Sequence, residues 1–403
     1  MALPDGVSAV FPFAPDWSDP VQESFAYKTN VLRSRDMTGQ WRGLRSKPRE
    51  QLNYTILLGA DDAASFDYRF GRLQPYTWML PQWSRRRFLA SAATIGTNTL
   101  LLDGPVSYLA RAGDEYILML GDVEPEVVAI ESISGDRLTL TLTSALDSSW
   151  PSRAKVYPAW RAQVAGEMEA EWISSHVMRC PVSFRRLVDN RAPEASSLTA
   201  DETLNSLEVL VRPVDWSKPI NVTYDWVPDY IDAEVGPFES VVRGLISRRL
   251  RKGEVLCESR DEVDWWLAFL DRRSGQRVPF MMPTWLGDLQ LQQPLSAGID
   301  FEVAGTDLGM FSPSSGTYTH LMIRKKNGSV AFFEVSTIAA DFGLGVSTVT
   351  TVEDWDESYG PWECSQISFV TVCHLASDGF TVSWITDEVA RINLAVMTEE
   401  IPE

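Results

Sequence analysis

The landmarks of this chain occur twice, in the same order, and that repetition limits what it can fold into. Asp16-Trp17-Ser18-Asp19-Pro20-Val21 returns as Asp215-Trp216-Ser217-Lys218-Pro219-Ile220, an offset of 199. Met79-Leu80-Pro81-Gln82-Trp83 returns as Met281-Met282-Pro283-Thr284-Trp285, an offset of 202. Trp150 matches Trp362, and Trp172-Ile173-Ser174-Ser175 matches Trp384-Ile385-Thr386-Asp387, both at 212. The offset grows by small insertions while the order holds. Self-similarity at a fixed period points to two diverged copies of one unit, joined head to tail. The length agrees, since 403 residues exceed the roughly 250–300 that one core can organise. Residues 1–190 form the first unit, 203–403 the second, and the polar, Ala- and Pro-containing stretch 191–202 a linker.

Local patterning predicts a mainly β (α+β) fold. Each unit reads as a β-sandwich with a short helix plus a small β-barrel. The sandwich parts fall at about 10–90 with 170–190 and at about 205–290 with 380–400; the barrel parts fall at about 95–165 and 295–378. Leu52, Tyr54, Ile56 and Leu58 alternate as a strand does, and Val255 with Cys257 follow suit. In the second unit Val263, Trp266, Leu267 and Leu270 form a helical apolar stripe. Ser259 with Glu262 predicts a capping box before it, and Gly275 a C-cap after it. In the first unit Asp61 or Asp62 caps a poorer helix ending at Gly71. Pro81 and Pro283 predict edge strands, because proline cannot donate to a central ladder. Strands at Tyr116–Leu120, Val127–Ile130, Leu138–Leu142 and Lys155–Tyr157 make the first barrel, with counterparts at Thr319–Ile323, Ala331–Val335, Ser347–Val352 and Gln366–Val372.

Charge is unevenly placed. Residues 1–200 carry 21 Lys+Arg against 23 Asp+Glu, and residues 201–403 carry 15 against 32. From Ser329 to Glu403 there are 13 acids and one base, Arg391. Such a surface repels nucleic acid, so sequence-specific nucleic-acid binding is not expected. No apolar run reaches the ~18 residues of a membrane helix, and Met1–Val10 does not read as a secretory signal. Ser84-Arg85-Arg86-Arg87 looks like a twin-arginine export motif but stands far inside the chain, and reads as a basic turn after a strand. Cys180, Cys257, Cys364 and Cys373 have no CxxC spacing, which fits a reduced compartment of synthesis. His176 with Cys180, and Cys373 with His374, supply too few ligands for a metal. No GxSxG elbow, P-loop or dinucleotide fingerprint is present. No enzyme, cofactor or metal is therefore expected. A chance pair of acids suited to glycoside cleavage among 55 Asp and Glu is the open exception.

Several motifs together resemble a known family. Arg42-Gly43-Leu44-Arg45-Ser46-Lys47-Pro48-Arg49 is a basic stretch after the Trp-Pro corner. Phe269-Leu270-Asp271-Arg272-Arg273-Ser274-Gly275 ends the helix, and Phe280-Met281-Met282-Pro283-Thr284-Trp285 follows it. Trp150-Pro151, Lys155–Ala159 and the closing stretch Val177–Val188 complete the set. In this order they resemble the distal tail and baseplate proteins of long-tailed (siphovirus-type) bacteriophages and gene transfer agents, here in tandem duplication. The resemblance implies a structural virion protein: a ring at the tail tip that links the tail tube to the host-attachment apparatus. Its partners would be itself, as a trimer with pseudo-six-fold symmetry or a hexamer, the tail tube protein, and other baseplate or hub proteins. It would be made in the bacterial host cytoplasm and reside at the virion tail tip, with no membrane insertion.

Candidate interface residues are the duplicated Trp17, Trp83, Trp216 and Trp285, with Arg42, Arg45, Lys47 and Arg49 poised for acidic faces of a neighbour. Asp354, Asp356 and Glu357 are candidate lumen acids, past which DNA would slide without sticking. Two other functions compete. One is a baseplate adhesin that stacks surface glycan on Trp355 and Trp362; the other is a hub with hydrolase activity.

Overall fold

The computed structural model describes residues 4, 6–33, 39–73, 77–121, 123–187, 199–213, 215, 219–225, 228–232, 234, 236, 239–242, 248–293, 298–311, 319–355 and 363–398. Trp216, Asp356, Glu357 and Trp362, most of the expected linker, and the side chain of Trp355 lie outside them.

The first half runs β1 (Ala9–Val10), β2 (Val21–Ala26), β3 (Thr29–Arg33), β4 (Gly39–Gly43), β5 (Arg49–Leu58), α1 (Ala60–Leu73), β6 (Trp78–Pro81), β7 (Arg87–Phe88), β8 (Thr99–Leu101), β9 (Glu115–Leu120), β10 (Val123–Ile133), β11 (Thr139–Leu142), β12 (Lys155–Val164), β13 (Glu171–Ser174) and β14 (Val177–Arg186). The second runs β15 (Thr203–Leu204), β16 (Leu207–Glu208), β17 (Asn221–Asp225), β18 (Pro228–Ile231), β19 (Glu239–Val242), β20 (Arg248–Cys257), α2 (Arg260–Arg273), β21 (Phe280–Pro283), β22 (Gly298–Ala304), α3 (Asp307–Phe311), β23 (His320–Lys325), β24 (Val330–Asp341), β25 (Val346–Trp355), β26 (Cys364–Leu375), β27 (Gly379–Trp384) and β28 (Ala390–Thr398). The fold is mainly β, as the alternation predicts.

Strand pairings recur between the halves. β5 pairs β2 and β14; β20 pairs β17 and β28. β6 pairs β12, and β21 pairs β26. The ladder β8–β11–β10–β9–β12 is matched by β22–β25–β24–β23–β26. Each ladder encloses its own apolar core, one around Tyr116, Leu140 and Trp150, the other around Val303, Leu321 and Val349. Trp150 donates its indole N–H to the buried Glu126 carboxylate at 2.6 Å, which satisfies the one polar atom of a buried Trp.

The sandwich parts behave differently, because they share one core. Leu52, Ile56 and Phe184 of the first half lie in the same cluster as Trp266, Trp285 and Trp384 of the second. The reason is a seam. β2 pairs β5 on one side and β27 on the other, with Val21 opposite Trp384 and Ala26 opposite Gly379. A single antiparallel sheet therefore runs β13–β14–β5–β2–β27–β28–β20–β17 across both halves.

Four local expectations are corrected. β6 is not an edge: β1 flanks it in parallel at Trp78 and Met79, and β12 flanks its other side. Pro81 is tolerated because it stands at the strand's last position, beyond the reach of β1. In α2 the Ser259 hydroxyl accepts from the Glu262 N–H at 3.3 Å, but the Glu262 carboxylate accepts from the Glu258 N–H, not from Ser259. The left-handed C-cap is Ser274 (φ 52°), and Gly275 (φ 72°) follows it. Gly275 is required for a further reason: a Cβ there would lie 2.8 Å from the Cβ of Tyr27 in the other half. α1 runs on past Gly71 to Leu73, with Asp61 and Asp62 inside its first turn.

The matched residues Trp172 and Trp384 have opposite environments. Trp384 is fully buried under the seam, whereas Trp172 on the edge strand β13 is 54% exposed. Trp384→Ala should cost about 3–5 kcal/mol, and Trp172→Ala should stay within about 0.5 kcal/mol, measured by urea denaturation of dilute protein. Similar losses at both positions would contradict the seam.

Candidate functional site at the seam between the halves

The seam is held by charges that the halves exchange. The turn after β6 presents Arg85, whose guanidinium donates to Asp264 of α2 at 2.6 Å. Both side chains are nearly inaccessible, at 9% and 1% exposure. The second Asp264 oxygen accepts from the Tyr108 N–H at 3.2 Å. Asp264 sits in the apolar run Val263–Leu270, where a carboxylate has no place unless a cation meets it. Here the cation comes from the other half. Arg86 donates to Asp387 at 2.8 Å, and Arg260 reaches both the Asp387 side chain and the backbone carbonyls of Asp387 and Arg86.

Two further clasps flank this one. The Tyr27 hydroxyl donates to Asp271, and the carboxylate of Asp378 accepts from the N–H groups of Thr29 and Gln276. Trp41 stacks flat on His374, centroids 4.1 Å apart. The His374 Nδ1 meets the Gln276 carbonyl at 2.7 Å. Beneath the seam Glu23 is buried and accepts from the Ser84 hydroxyl at 3.0 Å. A cleft of about 290 Å³ opens beside it, with Tyr27, Lys47, Trp160, Asp271 and Phe380 in its wall. Within the second half, Glu208 receives both Arg272 and Arg273, which ties the segment before β17 to the end of α2. Burial pushes the Arg273 guanidinium down to about 10, against the pull of Glu208.

The residues singled out from sequence are scattered. Trp83 and Trp285 pack inside the shared core, 5% and 2% exposed, so they are not surface anchors for a neighbour. Trp17 is partly buried against that core, in a left-handed conformation (φ 57°). Arg42 and Arg49 are exposed; Arg45 is half-buried, its guanidinium 3.5 Å from the Ala26 carbonyl. Lys47 borders the cleft. Asp354 is exposed on β25. The residues that do come together are not among the sequence candidates: Arg85 and Arg86 read as a basic turn, and Asp264 carries no reading of its own. A lone acid inside an apolar stripe, and three arginines beside a duplicated Trp, were the available signals.

Among the described residues no three His, Cys, Asp or Glu side chains gather at one point, and no helix is long and apolar enough to cross a membrane. No family model matches the chain, and no curated protein matches it at a significant level.

Two outcomes follow from the clasp. Arg85→Ala strands a buried carboxylate and should cost about 3–5 kcal/mol, while Arg85→Leu with Asp264→Leu should recover much of that loss in the same denaturation assay. Burial raises the Glu23 carboxyl above its ordinary value of 4.5, opposed in part by Arg85 and Ser84. Between pH 4.5 and that raised value the folded state holds a proton that the unfolded chain has released. The stability contributed by Glu23 is complete below pH 4.5 and declines as pH climbs through the folded value. Glu23→Gln should flatten that decline in melting temperature; an unchanged profile would remove Glu23 from the titration.

Proposed function

We propose that this protein is a structural virion component that forms a ring at the tip of a long phage tail, joining tail tube to host-attachment apparatus. The observation that carries the reading is the continuous sheet through β2 and β27, which joins two matched sandwich modules head to tail. A ring needs an interface of this kind, in which one surface of a unit meets a different surface of the next. The ordered motifs of the sequence, from the Trp-Pro corner to the Met-x-Pro-x-Trp strand, support the same family. On this reading the two halves are diverged copies, and the protein acts by assembly and not as an enzyme. Its partners are further copies of itself, as a trimer with pseudo-six-fold symmetry or a hexamer, with the tail tube protein and other baseplate proteins. The acidic second half, Asp354 included, would offer passing DNA a repelling wall.

One observation favours a second reading: exposed Trp172 offers a ring face to solvent, as a glycan-binding adhesin would need. The test is the mass in solution by light scattering, with negative-stain images of the same sample. Closed rings of three or six chains are expected, alone or with tail tube protein. A monomer in both conditions, combined with retention on a glycan array, would replace the ring by the adhesin.

A further inference from the structure

The long sheet ends in two unlike edges, β13 and β17, and among the described residues each pairs with one neighbour only. These edges are the counterparts of the strands that meet at the internal seam. β17 matches β2 at an offset of 199, and the stretch 167–172, whose last two residues open β13, matches β27 at an offset of 212. We infer that β17 of one chain pairs antiparallel with β13 of a second copy, repeating between chains the β2–β27 seam found within the chain. This rests on the ring reading, and it names the surface through which the ring would close.

The register follows from the internal seam. Val21 faces Trp384 and Gln22 faces Ser383, so Ile220 should face Trp172 and Asn221 should face Glu171. Inside the chain this seam buries Trp384 completely and stacks Phe25 on Phe380, centroids 4.9 Å apart. At the free edges two matching positions are open: Trp172 is 54% exposed and Tyr224, which matches Phe25, is 55% exposed, with Ile173 beside Trp172 at 59%. Large apolar groups beside unpaired backbone donors and acceptors make a template for another strand.

Charge decides which strand. The segment that would lie along β17 carries Glu167, Glu169 and Glu171. β20, the neighbour of β17, carries Arg249, Arg251 and Lys252 where β5 carries Glu50, Leu52 and Asn53. The chain-to-chain seam therefore sets an acidic edge beside a basic strand, whereas the internal one is nearly neutral. Pairing β13 with β13 would oppose acid to acid, and pairing β17 with β17 would bring basic strands close. The only unlike-edge union leaves one free edge of each kind at the ends, so chains add head to tail until the ring closes.

The test uses the full chain with Asn221→Cys and Glu171→Cys in a Cys364→Ser background. Directly opposed residues in an antiparallel pair lie about 4.5–5.5 Å apart, within disulfide reach. Mild oxidation should give chain-to-chain disulfides and a closed covalent band of fixed chain number. Shifting one site, with Thr223→Cys in place of Asn221→Cys, should lower the yield several-fold. As a second measurement, Trp172→Glu with Ile173→Glu should abolish self-association by light scattering while the melting temperature of the monomer stays put. Rings that form with the registered cysteines still reduced would overturn this edge pairing and leave the ring function standing. A chain that forms neither disulfides nor rings, alone or with tail tube protein, would overturn both.

Discussion

Everything in the sandwich region depends on β2 lying between β5 and β27. That placement gives one strand to both halves, so their apolar faces close over a single core. Val21, Trp384 and Val382 are fully buried in the core that the two halves share. Without β2, β27 would keep β28 on one side and lose its neighbour on the other. The seam is thus the point at which two modules become one folding unit, while the two barrels keep cores of their own.

The charged clasps do a separate job. Arg85 with Asp264, and Arg86 and Arg260 with Asp387, fix how the halves sit on each other. Buried ion pairs add little net stability compared with well-packed apolar groups, yet a misplaced partner leaves a bare charge in the core. Only one alignment of the halves satisfies them, so a slip of the seam is penalised strongly. Gly275 adds a steric lock to this electrostatic one, since Tyr27 approaches too closely for any side chain there.

A sheet that joins its modules by edges must also manage the edges left over. Nature usually blunts such strands with charge. Here the two free edges carry opposite bias, acidic along 167–171 and basic beside β17, and each retains exposed aromatic surface. That combination sets like edges against each other in charge and leaves the unlike pair complementary.

Much of the fold was legible in the residues. Alternation at Leu52–Leu58 and the stripe at Val263–Leu270 placed strand and helix, because burial of one face imposes its own period on the side chains. The doubled landmarks are visible in the residues alone, and the strand-rich character of both halves followed from short alternating runs between turns. The ten-residue strand Lys155–Val164 was read only as far as Tyr157, since Pro158 and Ala159 interrupt the pattern although the ladder continues through them. The clasp was invisible, because Arg85 and Asp264 are 179 residues apart and neither names its partner. So was the seam. Strands pair through backbone groups that every residue carries, and nothing in the side chains of β2 distinguishes β27 from any other open edge. Which edges meet was settled by the packed molecule, where shape, buried charge and shared core admit one neighbour.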